Sequence, residues 1–213
     1  MKNHKRIDLS KVNFSKIAAL AKGMAVKHLE SAECLARERR FNTAYTLLVF
    51  SLEESAKARI CEVYDNFRGK TSGVGGTGLP LKEHITKEKI RKIFDVHEDK
   101  HITMATQAIF FGPMNTFDTN LIRNIGRAIR EKDPFAIPEI LNLLKVFKKL
   151  QLNREQACFI SWDGNNVQDF EQEYNGLFPY AKSAVERHNQ FSCYKNIHYS
   201  ETEKSVKEML EKI

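Results

Sequence analysis

No stretch of this chain is apolar for long enough to cross a bilayer. The strongest run, "TLLVF" at residues 46–50, falls far short of the roughly 20 residues a spanning helix needs. The opening "MKNHKRIDLS" has no apolar h-region, so no secretory signal is expected. No Cys-x-x-Cys pair occurs, and Cys34, Cys61, Cys158 and Cys193 are scattered. That excludes a zinc knuckle and fits reduced thiols in a cytoplasm. Carboxylates are short around the histidines, and H-E-x-x-H is missing, which counts against a zinc or dinuclear hydrolase. No metal and no cofactor are expected. Internal repeats are lacking, and so is any linker beyond one glycine-rich stretch. A single domain over residues 1–213 is therefore expected.

What is present is helical in pattern. The chain has 213 residues, 42% hydrophobic and 29% charged, a globular profile. Its net charge of +7 is compatible with nucleic acid, though the excess is modest and spread out. The periodicity predicts a helix over about 15–39, with Ile17, Leu20, Ala21, Met24, His28 or Leu29, and Leu35 as its apolar positions. A second is predicted over 42–67, with Asn42 as N-cap. Residues 69–80, "GKTSGVGGTGLP", read as a flexible connection. Gly-Lys-Thr there is no phosphate loop, because Tyr64 stands where a Walker motif needs glycine.

Further helices are predicted over 86–110, 119–131, 134–150 (Pro134 in the first turn), 179–190 and 200–213. Ser200 and Glu203 offer a capping box for the last. Val206, Met209, Leu210 and Ile213 form an apolar stripe there, suited to a twofold interface. The stretch 154–170 has no helical period, and "CFISW" reads as a short extended segment ended by an Asp-Gly turn.

Two polar groups stand out. "SLEESAKARI" puts Glu53, Glu54 and Lys57 on one largely apolar helix. Glu53 and Lys57 are spaced i,i+4 for an ion pair. Glu54 is the candidate buried carboxylate, which needs a partner. "FDVHEDKH" puts His97, Lys100 and His101 on another helix. The two histidines share a face, but Lys100 between them would repel a divalent cation. Arg91 lies six residues before His97, about 120° away on a helix. A neutral histidine can exchange a proton with a ribose 2′-hydroxyl or a leaving oxygen. An arginine can hold the phosphate. The bland alternative is a hydrogen-bonded structural network.

"LEESAK", then "HEDK" after a variable loop, then "REQACFISWDG" resemble the AbiV family of bacterial abortive-infection proteins, within the wider HEPN group. The resemblance covers roughly residues 15–165. It implies an all-α HEPN-like bundle, here with an additional C-terminal helical region at about 179–213. It also implies a homodimer in the cytoplasm, anti-phage defence through interference with translation, and a phage protein as activator. The family's paired glutamate and lysine match Glu53, Glu54 and Lys57, and its histidine and lysine match His97 and Lys100. Its tyrosine-valine-aspartate run matches Phe159 to Asp163 loosely. HEPN ribonucleases carry an arginine, four to six residues, then a histidine, and Arg91 to His97 has that form. It departs in having Lys92 after the arginine, and in lying mid-chain.

The resulting expectation is metal-independent cleavage of RNA in a cleft shared by two protomers. Arg91 and His97 would be catalytic, with Glu53, Glu54, Lys57, Lys100 and His101 orienting or tuning them. The rival is a non-catalytic interaction protein that binds a phage or translation component through the same polar surface.

Overall fold

A computed structural model describes residues 11–67, 97–111, 119–158, 170–186 and 199–213. Every regular element among them is helical, as the periodicity implies. In chain order these are α1 (Phe14–Arg37), α2 (Phe41–Phe67), α3 (His97–Phe111), α4 (Thr119–Glu131), α5 (Pro138–Lys148), α6 (Leu150–Cys158), α7 (Glu171–Glu186) and α8 (Tyr199–Glu211). None is long and apolar enough to cross a membrane. The expected glycine-rich connection at 69–80 lies outside the described residues.

Helix α1 begins at Asn13, whose side-chain Oδ1 accepts from Lys16 N at 2.9 Å. Its buried face is Phe14, Ala18, Ala21, Ala25, Leu29 and Ala32. This corrects the expected stripe in part: Ala21 and Leu29 are buried as expected, but Leu20 is 62% exposed and Met24 42%. The reason is steric: an alanine row lets α1 lie close against α2, where longer side chains would hold the two apart. Ser51 on α2 uses that proximity, its hydroxyl donating to the Ala25 carbonyl at 2.8 Å.

The α1–α2 reversal is a Schellman cap. Arg39 N donates to Ala36 O and Arg40 N to Leu35 O, both at 2.9 Å, with Arg39 at φ 60°. Helix α2 then starts at Phe41, so Asn42 lies within it rather than capping it. Its carbonyl accepts from the Thr46 hydroxyl at 3.1 Å.

Helix α5 starts at Pro138, not Pro134, with proline in its first turn. Its buried residues Ile140, Leu143, Leu144 and Phe147 follow the helical period. Residues 150–158 are helical, which corrects the absence of helix expected from Arg154 onward. The remainder of the "CFISW" segment lies outside the described residues. Helix α7 begins eight residues before Pro179, which sits inside it. Helix α8 begins at Tyr199, so Ser200 is not its N-cap. Glu203 instead accepts from the Thr103 hydroxyl at 2.7 Å across the bundle.

Helix α3 is the central element. It packs against α2, α5, α6, α7 and α8, and His101 through Thr106 are buried without interruption. Val206 and Met209 of α8 are fully buried in the same core. That corrects the expected twofold stripe, because the protomer's own helices already cover it.

Candidate functional site

The site lies where α2, α3 and α6 meet. Consecutive residues on a helix project about 100° apart, so Glu53 and Glu54 cannot share an environment. The structure turns Glu53 inward, 5% exposed. Its Oε1 accepts from Arg154 Nη1 at 3.0 Å and lies 3.4 Å from His101 Nε2. Glu54 is the partly buried one, and it pairs with Lys57 one turn on. Two expectations are thereby corrected. The buried carboxylate is Glu53, not Glu54, and Lys57 takes Glu54 at i,i+3 rather than Glu53 at i,i+4. The bundle interior contains a guanidinium for Glu53, which outweighs the local lysine.

This is a charge clasp. A desolvated carboxylate is costly unless paired and hydrogen-bonded, and an arginine on a distant helix supplies the pairing. His101 adds a second contact from α3. Residues of three helices therefore meet at a single carboxylate oxygen, which Arg154 holds by a hydrogen bond. Nearby, Ser55 and Arg59 on α2 are also buried, extending the polar layer. The neighbour of Arg154, Asn153, hydrogen-bonds Tyr45. Burial nonetheless holds the Tyr45 phenol well above the ordinary tyrosine value.

Of the residues singled out from sequence, Glu53 and His101 come into contact, and Glu54 and Lys57 form a separate pair. His97 is the first described residue of α3, one turn ahead of His101. Arg91 and the side chains of His97 and Lys100 lie outside the described residues. The residue missed was Arg154. Its signal was available: Glu53 sits on an apolar helix and requires a cation, and Arg154 opens the "REQACFISWDG" stretch.

Glu53 itself is closed to solvent, so it cannot meet a large substrate. What it can do is fix the register of α3 against α2. Among the described residues no group of three or more histidine, cysteine, aspartate or glutamate side chains is placed to hold a metal ion.

The described residues form a helical bundle around a central α3, the architecture expected of a HEPN domain. The family model for HEPN AbiV, described as AbiV, matches residues 14–170, and the chain belongs to that family. It is an abortive-infection-type HEPN protein. No curated protein and no solved structure matches it.

Proposed function

We propose that this protein arrests phage growth by cutting RNA needed for translation, as a cytoplasmic homodimer activated by a phage protein. Arg91 is assigned to the phosphate. His97 is assigned to proton transfer at the 2′-hydroxyl or leaving oxygen. The observation that carries the reading is the clasp. Glu53 and Arg154 set a buried ion pair against His101 of α3, and His97 lies one turn before His101 on that helix. Glu53, Arg154 and His101 act as positioning residues. Glu54, Lys57 and Lys100 are assigned to tuning the charge around the cleft.

The test is incubation of the pure protein with total cellular RNA, with and without extract of infected cells. Wild type should yield discrete RNA fragments, at least in the presence of extract, and His97→Ala should not. Equal fragmentation by both, or none by wild type under either condition, would overturn the catalytic assignment.

One observation favours a second reading. His101 is buried against a carboxylate, as expected of a structural histidine. In that reading the protein is a non-catalytic binder that sequesters a phage or translation component. Protection that survives His97→Ala in a folded protein would select it.

A further inference from the structure

A cavity of about 380 Å³ opens where α3, α5 and α8 meet. That volume lies at the lower end of the range for small-molecule sites. Ile102, Phe147 and Leu210 give it an apolar wall. Lys148 from α5 and Lys207 from α8 line it from two different helices, and both are exposed. Glu211, one turn after Lys207, is the single acid among the described lining residues. His101 also lines the cavity, and its Nε2 lies 3.4 Å from Glu53 Oε1. One imidazole therefore faces the cavity and touches the clasp.

We propose that this cavity binds a small organic anion, an apolar body of one ring system or one short chain carrying a single phosphate or carboxylate. The apolar wall favours the body, because water is released from both surfaces. The two lysines can lay their methylene stems along that wall and present their ammonium groups to the anionic head. Glu211 works against a highly charged ligand, and the volume against a long one. A bound ligand would lie against His101, and so against the group that links α3 to Glu53. The site uses neither Arg91 nor His97, and it stands whether or not the chain cleaves RNA.

Isothermal titration calorimetry of the full chain at low salt tests this, with adenosine monophosphate and octanoate as separate probes. Binding of one equivalent per chain, weakening as salt is raised, is the expected result. Adenosine monophosphate alone would identify a phosphate site, octanoate alone a carboxylate site, and both a site for the shared chemistry. Lys148→Glu with Lys207→Glu should weaken binding by about tenfold or more. Both lysines are exposed, so this variant should fold. Leu210→Trp should weaken binding equally by filling the cavity without changing charge, with melting curves checking its fold. The proposal fails if neither probe binds, or if binding is undiminished in the folded double-lysine variant.

Discussion

Arg154 Nη1 donates to Glu53 Oε1 at 3.0 Å across 101 positions of sequence, joining α6 to the middle of α2. Both side chains are largely withdrawn from water. Breaking such a pair by removing one partner costs about 3–5 kcal/mol, because the survivor keeps its charge without compensation. Arg154→Met is therefore expected to be severely destabilising in urea unfolding. Glu53→Gln combined with Arg154→Met should cost clearly less than the sum of the two single changes. Strict additivity would mean that the two side chains do not interact.

The His97→Ala variant is expected to stay folded. Alanine is the best helix former, and α3 is anchored by the buried run from His101 to Thr106. Loss of a general acid or base lowers rate by about 10²–10⁴-fold, which should abolish both RNA cleavage and phage protection. Arg91→Ala should do the same through lost phosphate stabilisation. A melting curve and a light-scattering mass, run in parallel, separate this from misfolding. A mass near 24.6 kDa at all concentrations would refute the homodimer.

The helices were legible because apolar period and turn chemistry agree over long stretches. Thr119–Glu131 falls where the pattern put it. The inward face of α1 was legible only in part, at Ala21 and Leu29. Large apolar residues suggest burial, but close helix approach selected the alanines, and Leu20 was left in solvent. The clasp was half legible. That one glutamate of "LEESAK" had to find a partner follows from desolvation. Which glutamate, and which cation, depends on where a helix 101 residues away comes to rest. Arg154 looked unstructured in sequence because the stretch from it to residue 170 carries no apolar helical period.

Cys61 is buried in the small cluster with Phe14, Ala18 and Ile60. Burial, reinforced by Glu62 and Asp65, pushes its thiol up to about 12. The folded protein therefore holds the protonated form. The contribution to stability is intact below the ordinary thiol value of about 8.5. It is lost as pH rises from there toward 12, because only the unfolded chain gives up the proton. Iodoacetamide at pH 8 should label the exposed Cys34 and spare Cys61 until denaturant is added. Peptide mapping by mass spectrometry reads both sites. Rapid native labelling of Cys61 would contradict its burial.

Arg39 holds φ 60° at the position after α1 where glycine is the usual residue. Its contact with Glu171, at 3.7 Å between exposed side chains, contributes little. Arg39→Gly is expected to stabilise the protein by about 0.5–1 kcal/mol through relief of the left-handed backbone. A rise in melting temperature checks this, and a fall would show that the arginine makes a stronger contact than its exposure suggests.

The family match ends at residue 170, yet the core does not. Tyr174, Leu177, Ala181, Val206 and Met209 pack in one cluster with Leu48, Met104 and Leu144. A volume lost on one side of residue 170 must therefore be regained on the other for the shared core to stay filled. A relative that stops near residue 170 would face the same open flank and would have to close it with other side chains or with another molecule. A substitution in the tail is tolerated only where the same hollow stays filled.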